Sequence, residues 1–212
     1  MPGNLLRRLR RAALGPPELP RRFRAAFRAL GPDSVAIDCG ANVGTYTALM
    51  VERGAAVYAF EPNPHAFEVL ATRFAGLENV HCANAAVSDR EGLASLYLHR
   101  DASQDPLRWS TGSSLLVAKG NVSVENTIDV QLVDLDAFID GLGRRVTLLK
   151  LDVEGVEVAI LRKLLETGTI DLLDVVLVEM HEAQIPALRD ESAELRAELA
   201  RRGATNVRLD WV

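Results

Sequence analysis

From Val35 onward the chain alternates short apolar, β-branched runs with longer stretches whose apolar positions recur at helical spacing. That alternation predicts a parallel sheet covered by helices on both faces. Val35 to Cys39 reads as the first strand, followed by a helix from about Val43 to Arg53 with Gly54 as its stop. Val57 to Phe60 is the second strand, Pro64 to Phe74 the next helix, with proline acceptable at its start, and Val80 to Asn84 the third strand. Between Leu93 and Leu132 the rhythm breaks. Leu96 and Leu98 alternate, a Ser/Thr/Gly loop occupies Ser110 to Ser114, and Thr127 to Leu132 alternates again, which predicts an inserted antiparallel hairpin or flap. Regular order returns with a helix at Asp134 to Ile139, a strand at Val146 to Leu151, a helix at Val156 to Glu166, a strand at Leu173 to Val178, a helix over 187–202 and a last strand at Val207 to Trp211.

A length of 212 residues suits one domain with its own core. The expected division is a basic helical extension over 1–33 and one α/β domain over 34–212. No apolar run approaches the roughly 20 residues of a spanning helix. The N-terminal arginines are followed by proline-rich sequence rather than an apolar stretch, so no secretory leader is expected. Cys39 and Cys82 are the two cysteines and read as reduced thiols of a cytoplasmic protein. The net charge of −5 is unevenly spread: residues 1–30 carry eight arginines against Glu18, a balance of +7, which leaves −12 for the rest. An acidic body disfavours nucleic acid as a partner. The basic segment reads as an amphipathic helix with Leu5, Leu6, Leu9, Phe23, Ala26, Phe27 and Leu30 on its inner face.

Ligands of open parallel sheets bind beyond the carboxyl ends of the strands, where strand order reverses. The residues at those ends are Asp38 and Gly40, then Glu61, then Asn84, then Asp152 and Glu154, then Glu179 and His181. Five successive strands thus place acids, amides or an imidazole at one edge. The run Asp38-Cys39-Gly40-Ala41-Asn42-Val43-Gly44 links a strand to a helix, and its glycines suit close backbone approach to a ligand. It is not a dinucleotide fingerprint, because Asn42 stands where the second glycine would be. An acid opening the loop suits the ammonium of an amino-acid cofactor better than a pyrophosphate. Glu61 lies 17 residues beyond Gly44, where a carboxylate can accept both hydroxyls of a ribose. A ribose site without a pyrophosphate loop points to an adenosyl sulfonium.

These blocks, with Phe60-Glu61-Pro62-Asn63-Pro64, Asn84 to Asp89, Gly112-Ser113-Ser114, Lys150 to Glu157 and Glu179-Met180-His181, resemble the FkbM-type family of class I S-adenosylmethionine-dependent methyltransferases over about residues 34–182. The resemblance implies a Rossmann-like three-layer sandwich, with the first and third strands on either side of the second. It implies cofactor contacts from Asp38 and Gly40 at the methionine end, from Asn42 and Gly44 in the same loop, from Glu61 at the ribose and from Asn84, Ala85 and Ala86 at the adenine, with Asp152 near the sulfonium. The chain stops at Val212 just after its sixth expected main strand, so the family's closing strand is expected to be absent or supplied otherwise.

Methyl transfer needs orientation and, for a hydroxyl acceptor, a base. His181, ordinarily near a pKa of about 6.5, is the candidate base, with Glu179 and Asp152 beside it. Asp152, Glu154 and Glu179 are also candidate ligands for Mg²⁺. Glu157 reads as a helix-dipole partner, and Lys150 as a strand residue paired with one of the acids. Ser113 and Ser114 are candidate substrate contacts. The expected activity is O-methylation of a small metabolite, sugar or lipid-linked glycan, with N- or carboxyl-methylation, a non-catalytic cofactor-binding scaffold and a homo-oligomeric state left open.

Overall fold

The computed structural model describes residues 19–211. The first elements are α1 (Arg24–Arg28), β1 (Val35–Cys39), α2 (Thr45–Val51), β2 (Ala56–Phe60), α3 (Pro64–Phe74) and β3 (Val80–Ala83). β4 (Ala86–Ser88), β5 (Gly92–His99), β6 (Val122–Asp134), α4 (Leu135–Gly141) and β7 (Leu148–Leu151) follow. The chain then forms α5 (Glu157–Thr167), β8 (Val176–Val178), α6 (Arg189–Arg202) and β9 (Val207–Arg208).

The main sheet is six-stranded and wholly parallel, in the order β3-β2-β1-β7-β8-β9. Its central strands are buried along their whole length, as expected of a sheet with helices on both faces. The period of two divides each strand between those faces. Val35, Ile37, Cys39, Leu149, Leu151, Val176 and Val178 pack with the leucines of α5 and α6 and with Leu135 and Ile139 of α4. Ala36, Leu148 and Leu177 face the other way, onto Met50 and Val51 of α2, Leu70 and Phe74 of α3 and Phe27 of α1. The result is a Rossmann-like three-layer α/β sandwich. Strand order reverses between β1 and β7, and that switch point locates the site.

The interrupted middle of the sequence forms a second sheet, order β4-β6-β5. β5 and β6 pair antiparallel as the alternation predicts, and β4 adds a short parallel strand to β6. This sheet has its own small apolar core of Ala86, Leu96, Leu98, Val130 and Leu132. The long loop between β5 and β6 folds back on β5, with Ser114 bridging to Tyr97, and reaches the loop after β7, where the Ser114 hydroxyl donates to Glu154 O.

The last predicted strand is shorter than expected, because only Val207 and Arg208 pair with β8. The chain beyond continues to Trp211, whose amide donates to Val178 O at 3.2 Å and whose buried ring meets Phe23 and Tyr46. Of the expected N-terminal helix, Phe23, Phe27 and Leu30 are buried against α2 and Trp211, while Leu5, Leu6, Leu9 and the first four arginines lie outside the described residues. Both cysteines are free, two strands apart on β1 and β3. Among the described residues no helix is long and apolar enough to cross a membrane.

Candidate active site at the carboxyl edge of the sheet

The loops after β1, β2 and β7 surround an open cleft. Its floor and polar wall are Gly40, Asn42, Glu61, Asp152 and Glu154, its apolar wall Ala86, Val87, Leu96 and Leu115, and its outer rim Ser110, Thr111 and Ser113 from the β5–β6 loop.

Glu61 is 5% exposed, and its two carboxylate oxygens accept the backbone N–H groups of Asn42 and Asn63, each at 2.8 Å. The carboxylate is therefore fixed in direction while each oxygen keeps acceptor capacity toward the cleft. Burial pushes its pKa from 4.5 up to about 7, despite the two amide donors. Between those values the folded chain holds a proton that the unfolded chain has lost, so stability falls as pH rises through that window. Denaturant melts from pH 4.5 to 8 check this: Glu61→Gln is expected to flatten the decline.

The two glycines of the loop do different jobs. A Cβ on Gly40 would lie 1.9 Å from Asp152 O, so its bareness lets the β1 and β7 ends meet. A Cβ on Gly44 would lie 2.4 Å from the Phe74 ring and 2.7 Å from Leu70 Cδ1, so this glycine serves the packing of α2 on α3 and does not line the cleft. Both have φ near +75 to +80°, which favours glycine. Gly44→Ala is expected to destabilise the fold by about 2 kcal/mol through backbone strain and overpacking, measured by denaturant titration.

Asp38 departs furthest from expectation. It is fully buried and absent from the cleft lining. Its Oδ2 accepts the Thr47 hydroxyl at 2.6 Å, and its Oδ1 lies 3.3 Å from Lys150 Nζ. Register explains this: Asp38 and Lys150 are partners on adjacent strands and share the face covered by α2. Lys150 is 1% exposed, pairs also with Asp152 Oδ2 at 3.3 Å, and donates to Gly40 O at 3.1 Å. Burial opposes its charge, but Asp38 and Asp152 more than offset that and raise its pKa. Lys150 thus ties the ends of β1 and β7 together. A lysine in the apolar run Leu148-Leu149-Lys150-Leu151 was the sequence signal for it.

Asn84 and Ala85 also lie outside the lining. The Asn84 amide donates to the Glu61 and Pro62 carbonyls at 2.8 and 3.0 Å, holding the β2 end, while Ala86 and Val87 face the cleft. Asn42, at the unusual φ of +49°, donates its side-chain amide to Ser110 Oγ. Ser113 lies at the cleft within 3.4 Å of the Asn63 amide. Ser114 is 1% exposed and its hydroxyl donates to Glu154 O at 2.6 Å, so it fastens the loop and is closed to substrate.

Beyond the ends of β7 and β8 the acids gather around His181, although β8 itself ends at Val178. His181 is 3% exposed, with Nδ1 2.8 Å from Glu157 Oε1 and Nε2 3.0 Å from Glu154 Oε2 and 3.9 Å from Asp152 and Glu179 oxygens. Burial alone would lower its pKa, but the two close carboxylates raise it to about 10. With both nitrogens against acids, His181 is a cation at neutral pH and a poor proton acceptor, contrary to the role expected of it. Glu157 is more than a helix-dipole partner: fully buried at the start of α5, it also accepts the Val153 and Gly155 amides. Glu179 remains partly exposed, and burial together with the Asp152 charge pushes it to about 7.

Asp152, Glu154 and His181 present ligand atoms within 4.8 Å of one another, a different trio from the three acids expected of a Mg²⁺ site. Two lysines already serve these carboxylates: Lys150 on Asp152 and Lys119 on Glu154. Asp152 and Glu154 are thus already paired with protein cations, so the trio offers no independent reason to place Mg²⁺ there. Lys119 had no sequence signal, since it reaches Glu154 from the β5–β6 loop, 35 residues away.

A family model described as the methyltransferase FkbM domain matches residues 38–205. The chain is similar to the hexuronic acid methyltransferase AglP of Haloferax volcanii, 31% identical over 158 residues that cover 73% of this chain and 59% of that protein. It is also similar to methyltransferase 1 of Beauveria bassiana, 30% identical over 173 residues, covering 72% and 66% respectively. The chain thus spans less than two thirds of the length of either relative. Among solved structures, methyltransferase FkbM from Methylobacillus flagellatus KT gives a TM-score of 0.45 at 16% identity, covering 70% of this chain and 33% of that one. An rRNA methylase from Streptococcus thermophilus gives 0.43 at 13% identity, covering 81% and 76%.

Proposed function

Because the chain belongs to the FkbM methyltransferase domain family, we propose that it transfers a methyl group from S-adenosylmethionine to a hydroxyl of a sugar or comparable small polar acceptor. The observation that carries this reading is Glu61. A buried carboxylate, held by two backbone amides and open to the cleft, fits the paired hydroxyls of a ribose. Ala86, Val87 and Leu96 supply an apolar wall for an adenine, and Asp152 and Glu154 supply negative charge for the sulfonium end. When bound, the cofactor supplies an activated methyl on a leaving group that departs neutral.

This chain's own residues orient the partners and accept the acceptor's proton. Lys150 holds Asp152 against the Gly40 turn, fixing the floor of the cleft. Glu179 is the proton acceptor in this reading, since it is the most exposed carboxylate of the cluster, at 30% against 25% for Asp152 and 21% for Glu154, and is tuned toward neutrality, which suits general-base work. His181 remains a buried imidazolium that orients Glu154 and stabilises Glu179 once it is charged. The β5–β6 loop, through Ser110, Thr111 and Ser113, shields the reacting centre from water. Similarity to a hexuronic acid methyltransferase supports a sugar acceptor.

The test is methyl transfer from radiolabelled S-adenosylmethionine to a panel of neutral sugars, uronic acids and amines. Alkali-stable label on a sugar supports the reading. Alkali-labile label on uronic acids, or label on amines alone, contradicts O-methylation of a hydroxyl.

A further inference from the structure

The segment of the β5–β6 loop from Ser110 to Lys119 touches both sides of the cleft. On one side Ser110 meets the Asn42 amide at 2.8 Å and Ser113 lies 3.4 Å from the Asn63 amide, beside the two residues whose backbones hold Glu61. On the other side it rests on the loop after β7. There Ser114 donates to Glu154 O, Leu116 lies so close over Gly155 that a Cβ would come within 2.9 Å of it, and Lys119 is paired with Glu154 Oε2. Lys119 also donates to Gly112 O at 3.3 Å, inside its own loop. It is 5% exposed, and Glu154 has φ +61°, a left-handed conformation for a non-glycine residue.

These contacts are unequal. The Ser110 and Ser113 bonds are neutral and border the cleft, and the buried Ser114 bond is neutral too, whereas the Lys119–Glu154 pair is charged, largely buried and backed by His181 on the far side of Glu154. Charged hydrogen bonds are about twice as strong as neutral ones. Ser110, Thr111, Ser113 and Leu115 of this loop line the same cleft as Glu61 and the Ala86–Leu96 wall, so a nucleoside-sized ligand held between those two would lie against the loop.

We propose that Lys119 is a positioning residue that fastens the β5–β6 loop across the cofactor cleft through Glu154, so that this one ion pair sets how long the cofactor is retained. The inference rests on the cofactor reading above. Lys119 acts through the loop, touching neither the ribose carboxylate nor the proton acceptor.

The experiment compares wild type, Lys119→Met and Lys119→Arg by amide hydrogen exchange on the ligand-free proteins and by sinefungin dissociation, followed through the fluorescence of Trp109, which precedes Ser110. Methionine fills the lysine's space without its charge, and arginine restores the charge. Lys119→Met is expected to raise exchange at residues 110–121 about tenfold with β1, β2 and β7 unchanged, and to speed sinefungin dissociation at least about tenfold with a smaller effect on association. Lys119→Arg should return both most of the way to wild type. Unchanged loop exchange in Lys119→Met overturns the proposal, and so does faster exchange with unchanged dissociation. A wild type that binds neither S-adenosylmethionine nor sinefungin overturns the cofactor reading and this role with it. The ligand-free exchange data tell that failure from a failure of the ion pair alone.

Discussion

Replacing Glu61 by alanine is expected to weaken S-adenosylmethionine binding at least about 100-fold. Two hydroxyls bonded to a charged acceptor contribute about 1.5–3 kcal/mol each, and every 1.4 kcal/mol or so is tenfold in affinity. The buried position strengthens the expectation, because bulk water cannot readily take the place of a carboxylate that is 5% exposed. Glu61→Gln separates charge from shape. Its amide nitrogen must face a backbone donor, either Asn42 or Asn63, so it should lose about tenfold or more. The pH dependence carries the same signature. Ribose hydroxyls donate to the ionised form, so wild-type affinity should rise as pH passes about 7, where Glu61 titrates, and the glutamine variant should lack that rise. Calorimetric titration at pH 6, 7 and 8 measures both.

The second large effect is on the fold. Lys150→Met is expected to cost about 3–5 kcal/mol, the usual price of leaving a buried charge without its partner, or roughly 10 °C in Tm for a chain of this size. Asp38 would keep the Thr47 hydroxyl but lose the Lys150 ammonium, and Asp152 would face Glu154 and Glu179 with less compensation. The sign with pH follows from the carboxylates. As pH falls, Asp152, whose carboxyl burial holds above the usual range, takes up a proton and leaves less charge for a lysine to offset, so the gap between wild type and variant should narrow. Thermal melts at pH 5 and 7.5 check this, and adding Asp38→Asn to Lys150→Met should recover part of the loss.

The layers of the fold were legible because they rest on local periodicity. Alternation in Val35-Ala36-Ile37-Asp38-Cys39 and in Leu148-Leu149-Lys150-Leu151 divides cleanly between the two helical layers. The edge carrying Glu61, Asp152, Glu179 and His181 followed from strand ends alone. What the sequence hid was which of those side chains look inward. Asp38 sits at a strand end like Glu61, yet register places it beside Lys150 under α2, one residue short of the turn. Gly44 read as a ligand glycine because a missing Cβ looks the same in sequence whether a ligand or a packed side chain fills the space. His181 read as a base because its partners Glu154 and Glu157 come from another loop and helix. Lys119 was invisible, since its meeting with Glu154 depends on how the inserted sheet folds back over the cleft.

Direct calorimetric titration of S-adenosylmethionine into the wild-type protein, with NAD as control, tests the central claim most simply. Micromolar one-to-one binding, with no heat from NAD, is the predicted result. A folded wild type that binds no S-adenosylmethionine would contradict it.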